Sequence, residues 1–207
     1  MIGQIPEPQV SGRTMPSDFA VGADASDNVM FIALVLGYRS DVEPLRDKTC
    51  KECNLREIHM RRISRPTRNK VVEAVSRFST RSVHMYCFTV DRLRHARTLD
   101  SAPKTRYFSS TQKSQYIDYC IAMEIKDGVS SSLEMFNQNW SNIMVEVDED
   151  TKKMFKRIGR PVTAPNSAHE LADAVAWANH AKSRIGQIKE IDITSNVDRR
   201  LRRRFKL

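Results

Sequence analysis

FAVGADASDNVMFIALVLGY (19–38) is the stretch whose reading decides the fold. Two runs rich in apolar and β-branched residues, FAVGADAS and VMFIALVLGY, flank the pair Asp27-Asn28. Strand, tight turn and strand is the pattern of a β-hairpin. In the first strand Phe19, Val21 and Ala23 point one way, while Ala20, Gly22 and Asp24 point the other. The second run is apolar throughout, as expected of a strand covered on both faces.

Working outward, residues 1–17 hold three prolines and two glycines without periodicity, which reads as an irregular N-terminal arm. Residues 40–55 are polar, a loop or the first turns of a helix. After Pro66, TRNKVVEAVSRF places Val71, Val72, Val75 and Phe78 on one helical stripe. SVHMYCFTV (82–90) reads as a strand, and the basic segment 92–111 as a connection. SQYIDYCIAMEI (114–125) reads as a helix with Tyr116, Ile117, Cys120, Ile121 and Met123 inward, while GVSSSLEMFNQNW carries no clear pattern. NIMVEVD is a strand and EDTKKMFKRI a short helix. NSAHELADAVAWANHAKSRI is an amphipathic helix capped by Asn166 or Ser167, with Glu170 completing a capping box. IKEIDIT alternates as a small edge strand. The expectation is an α/β domain over 18–197, a mixed sheet with flanking helices, followed by a basic tail at 198–207. One strand of a five-stranded sheet does not show in the sequence.

The 207 residues suit one domain of ordinary size. Hydrophobic residues make up 40% and charged ones 29%, enough for a core and typical of a soluble chain. No apolar run approaches the roughly 18 residues of a membrane span. The N-terminus has no basic cap with an apolar core, so a cytoplasmic location and reduced thiols are expected. Lys plus Arg exceed Asp plus Glu by 34 to 25, a net charge of +9, and such a field favours nucleic acid before an acidic membrane surface. The cations cluster: Arg56, Arg61, Arg62, Arg65, Arg68 and Lys70 surround Glu57, and the chain ends DRRLRRRFKL.

Four acids stand out in order: Asp24 ending an apolar stretch after FAVGA, Glu57 in REIH, Asp148 closing IMVEVD, and Asp173 within the helical run HELADAVAWANH. Mg²⁺ and Mn²⁺ want several hard oxygen ligands at one point, and a pair of such ions clamps the attacking and leaving oxygens of a phosphodiester. The small residues before Asp24 leave room on its face for an ion. Asp150 can replace Asp148 if that strand runs two residues longer. Each acid also has a plainer reading. Asp24 can be a turn residue, Glu57 an ion-paired surface acid, Asp148 a helix N-terminal acid, and Asp173 a partner of His169 or His180.

FAVGADAS, VMFIALVLGY, REIH, VEVDED and ADAVAWA together resemble a group of ribonuclease-H-like proteins over most of residues 18–183. In that group the first Asp is typically followed by Glu-Ser-Gly, where this chain has Ala25-Ser26-Asp27. The resemblance implies a ribonuclease-H-like α/β fold and hydrolysis of phosphodiesters in RNA or DNA. It implies Asp24, Glu57, Asp148 and Asp173 as ligands of Mg²⁺ or Mn²⁺, with His59 as auxiliary proton carrier. Arg61, Arg62, Arg199, Arg200, Arg202, Arg203 and Arg204 would then contact phosphates. The rival expectations are a non-catalytic RNA-binding module on the same fold, and a scaffold whose tail docks on an acidic partner.

Cys50 and Cys53 form one CxxC pair, half of a structural zinc site, with Cys87 and Cys120 in predicted core elements. A redox role would want a thioredoxin-like context that the element order does not offer. No phosphate-cradling glycine loop or nucleophile elbow is present. Tyr107, Phe108, Tyr116 and Tyr119 lie near the basic connection and could stack on bases, although core packing explains Tyr116 equally well.

Overall fold

The computed structural model describes residues 18–25, 31–158, 160–181, 185 and 187–206; the arm read over 1–17 and the Asp27-Asn28 turn lie outside them. Strands β1 (Phe19–Ala25) and β2 (Phe31–Tyr38) pair antiparallel from Ala25↔Ile32 to Phe19↔Tyr38. This is the expected hairpin. Strand β3 (His84–Thr89) runs antiparallel along the other side of β2, and β6 (Ile188–Asp192) lies parallel outside β3. On the far side of β1, β4 (Val145–Glu146) and β5 (Val162–Thr163) add in parallel. The six-stranded mixed sheet has the order β5-β4-β1-β2-β3-β6. β2 is interior, and its residues Ile32 to Leu36 are inaccessible to solvent, because helices cover both of its faces.

Alternation along β1 sorts its side chains into two cores. Phe19, Val21 and Ala23 join a core with α3 (Arg92–Asp100), α4 (Ser110–Met135), α5 (Glu149–Arg157) and α7 (Thr194–Phe205). Ala20, with Ala33, Val35 and Met85, packs under α1 (Arg39–Cys53), α2 (Arg65–Phe78) and α6 (Ser167–His180). Gly22 shares the second face. A Cβ there would sit 2.0–2.2 Å from the Ala168 carbonyl and the His169 nitrogen, so the N-terminus of α6 lies directly on β1. The small residues ahead of Asp24 therefore admit a helix backbone, where the sequence suggested room for an ion.

Local signals account for most of the helices. Ser64 caps α2 by accepting from the Thr67 nitrogen, with Pro66 in the first turn. Ser109 and Gln112 form a reciprocal capping box at the start of α4. At α6 the expected capping box does not form: Asn166 makes no side-chain cap bond, and Glu170 reaches elsewhere. The polar segment from residue 40 is helical throughout as α1, with Pro44 inside it. The basic segment drawn as a tail is also helical. Val197, Leu201 and Phe205 recur at i, i+4 and i+8, and all three are buried, so α7 is a docked part of the domain.

Candidate functional site

Three of the four acids come together where β1 and β4 end. Asp24 closes β1 on the face that carries Gly22, and β1 pairs with β4 through Gly22↔Glu146. Two residues beyond Glu146, Asp148 leaves the same strand and becomes the N-cap of α5, accepting from the Thr151 nitrogen at 2.9 Å. Asp173 projects from the second turn of α6, with a side chain 16% exposed. Asp24 feels the charge of both other acids. Burial, then Asp173, then Asp148 push its carboxyl up to about 8, against the pull of the Ala25 amide and Arg61. Burial also raises Asp173, opposed by the Met60 amide, His59, His169 and Arg61. The parallel strands β1 and β4 end together here while β2 runs the opposite way, the kind of crevice in which open α/β sheets hold ligands.

The loop between α1 and α2 is fastened over α6 by that helix's acids. Glu170 accepts from the Ile58 amide at 2.7 Å and from Arg46 at 2.9 Å, and Asp173 accepts from the Met60 amide at 2.8 Å. Ile58 and Met60 are buried beneath. The residues between and beside them turn outward. His59 Nδ1 stands 3.5 Å from Asp173 Oδ2, within ion-pair reach. Arg61 brings positive charge to Asp24 and Asp173 together. Glu57, the fourth acid, faces solvent with 60% of its side chain exposed and meets Arg62 at 3.4 Å. It stands with its plainer reading, a surface ion pair. The side chain of Asp150 lies outside the described residues.

Two participants had weak signals in the sequence. His169 holds the Ala23 carbonyl at 2.9 Å through Nδ1. A carbonyl only accepts, so Nδ1 carries a proton in this contact. Glu146, 1% exposed, caps α6 from the neighbouring strand: Oε2 accepts from the Ala168 and His169 amides at 3.0 and 3.2 Å, and Oε1 accepts from Arg39 at 3.0 Å. Its place between two valines of a strand, on the Gly22 side, was the only hint of burial. Glu146→Gln keeps an acceptor for the helix but sets an amide against the Arg39 guanidinium. It is expected to cost about 2 kcal/mol, seen as a lower midpoint in urea with an unchanged slope.

Carboxylate oxygens are the right donors for Mg²⁺ or Mn²⁺. Among the described residues, however, no three His, Cys, Asp or Glu side chains stand close enough to hold a metal ion as a group. Asp24, Asp148 and Asp173 share an electrostatic pocket without a finished coordination shell. Cys50 and Cys53 lie one turn apart on α1, and Cys87 and Cys120 are buried; all four are free thiols, raised by burial and so poor nucleophiles.

The expected phosphate contacts divide between two surfaces. Arg61 borders the acids on the α6 face, while Arg62 pairs with the exposed Glu57. Arg199, Arg200, Arg202, Arg203 and Arg204 ride on α7, which covers the opposite face of the sheet. Arg200 is bound to Glu124 and Asp127, and Arg202 to Asp198 at 2.9 Å. Among the described residues no helix is long and apolar enough to cross a membrane. No protein-family model matches this chain, and neither a curated protein nor a solved structure matches it.

Proposed function

We propose that this chain is a nucleic-acid phosphodiester hydrolase on a ribonuclease-H-like sheet, working at Asp24, Asp148 and Asp173 with a divalent cation, Mg²⁺ or Mn²⁺. The observation that carries the reading is the meeting of three carboxylates from three separate elements at one sheet end. Repulsion by Asp173 and Asp148 at the largely desolvated Asp24 costs stability, and such an arrangement is typical of sites built for chemistry. The central antiparallel hairpin, continued by parallel strands beyond β1 and covered by helices on both faces, supports the fold assignment.

When bound, a cation at these oxygens would supply charge neutralisation and a more acidic water. The chain's own groups do the remaining work. For Asp24, Asp148 and Asp173 to hold the ion, their carboxylates would have to draw closer than they stand here, with Glu57 outside this set. Arg61 and Arg62 position a phosphate beside the acids. His59, at the rim and within reach of Asp173, carries a proton to or from solvent. The second reading, a nucleic-acid-binding module without hydrolysis, is favoured by the absence of a ready ligand group among the described residues.

Incubation of end-labelled RNA and DNA with Mn²⁺ or Mg²⁺ tests the choice. Cleavage should fall at least about 100-fold in Asp24→Asn and in Asp148→Asn, the scale on which a lost charge-stabilising group acts. Asn still caps a helix well, so the second variant removes charge while sparing α5. Cleavage that survives both changes would exclude these acids. Salt-sensitive binding without any cleavage would establish the module.

A further inference from the structure

We infer that the outer side of α7, together with the turn ahead of α4, is a docking platform for single-stranded nucleic acid, separate from the carboxylate site. Tyr107 is 89% exposed, an unusual position for a large aromatic ring. The turn that carries it is well anchored. Thr105 beside it is fully buried, its hydroxyl donating to the Leu99 and Ala102 carbonyls, and the Phe108 amide donates to the Thr105 carbonyl at 3.0 Å. The Ser109–Gln112 capping box fixes the chain immediately after it. Tyr107 is thus a ring held out into water by a fixed turn.

Three rings tie that turn to the end of α7. Phe108 stacks on Tyr116 with centroids 5.5 Å apart, and Phe205 meets Phe108 and Tyr116 edge-on at 5.7 and 5.0 Å. The cations next to these rings in sequence lie on the two elements that the rings join. On α7, Arg199 and Arg203 recur at i and i+4 and are exposed, and the exposed Lys206 follows as the C-cap. On the turn, Lys104 and Arg106 are exposed beside Tyr107. Among the described residues no acid pairs with Arg199 or Arg203, whereas Arg200 and Arg202 on the same helix are held by acids. The platform therefore offers free positive charge for a phosphate backbone and one rigid ring for a base. A base inside a duplex has no open face for such a ring, which selects an unpaired strand. The platform belongs to the α7 layer and the acids to the α6 face, so docking here needs neither a cation nor Asp24.

Fluorescence anisotropy with labelled oligouridylate in EDTA reads this directly. Tyr107→Ala should weaken binding about tenfold, Tyr107→Phe should bind like the parent, and Arg199→Ala/Arg203→Ala should flatten the salt slope by about 1.4. Because the assay runs in EDTA and reads binding rather than cleavage, the result stands apart from the fate of the hydrolase proposal. Tyr107, Arg199 and Arg203 are all exposed, so their variants should fold; circular dichroism checks this. Unaltered affinity in Tyr107→Ala, equal affinity for a duplex of the same sequence, or equal affinity for polyglutamate would overturn the inference.

Discussion

Gly22→Ala is expected to lower the melting temperature by about 10 °C, corresponding to about 3–5 kcal/mol for a domain of this size. The added Cβ meets the backbone of Ala168 and His169 at 2.0–2.2 Å, and no rotamer change can move backbone aside. Helix α6 would have to withdraw from β1 by more than an ångström. That loosens Leu171, Ala172 and Val175 against the sheet and stretches the Glu146 bonds to the Ala168 and His169 amides. Gly128→Ala is the control. Its Cβ would meet the Phe88 ring at 2.7 Å, and a ring can tilt, so a smaller loss is expected. Because α6 carries His169 and Asp173, Gly22→Ala should also weaken any response of the protein to Mn²⁺.

Asp24→Asn is expected to stabilise the cation-free protein at alkaline pH. An acid whose folded pKa is raised from 3.8 to about 8 binds its proton more tightly in the folded state. Stability is therefore greatest below about pH 4 as far as this group is concerned, and falls as pH rises toward 8. The full gap corresponds to about 6 kcal/mol at 1.36 kcal/mol per unit. The neighbouring charges of Asp173 and Asp148 account for part of the shift and reduce the share assignable to one residue, so about 2–4 kcal/mol is expected above pH 8. Urea unfolding at pH 5 and at pH 8.5 should show the parent weakening with pH more steeply than the variant. Saturating Mg²⁺ should restore the parent and not the variant, since a cation bound only by the folded state stabilises it. A parent and variant with parallel pH profiles would mean that Asp24 is not under strain.

Much of the architecture was legible because periodicity and turn chemistry are local. The hairpin, α2, β3, α5, α6 and β6 all show in the residue pattern. What failed to show depended on distant partners. β5 is Val162–Thr163 alone, two residues that are a strand only because β4 lies alongside. α1 contains Pro44 and a weak apolar stripe, so its helical state rests on packing under the sheet. α7 was masked by its cations, although Val197, Leu201 and Phe205 spelled out the buried stripe. At the site, strand ends located Asp24 and Asp148, and the helical pattern of HELADAVAWANH located Asp173. Glu57 misled because the alternation of the loop, with Ile58 and Met60 inward, was invisible until α6 supplied the carboxylates that accept their amides. His169 and Glu146 entered through tertiary hydrogen bonds that no spacing rule encodes.

The carbon-13 titration of the Asp24 side-chain carboxyl, followed by NMR with and without Mg²⁺, bears most directly on the carboxylate pocket as a cation site. A midpoint near pH 8 without the ion, moving down by a unit or more when Mg²⁺ is added, is the result the proposed site requires. A midpoint in the ordinary range for aspartate, indifferent to Mg²⁺, would contradict it.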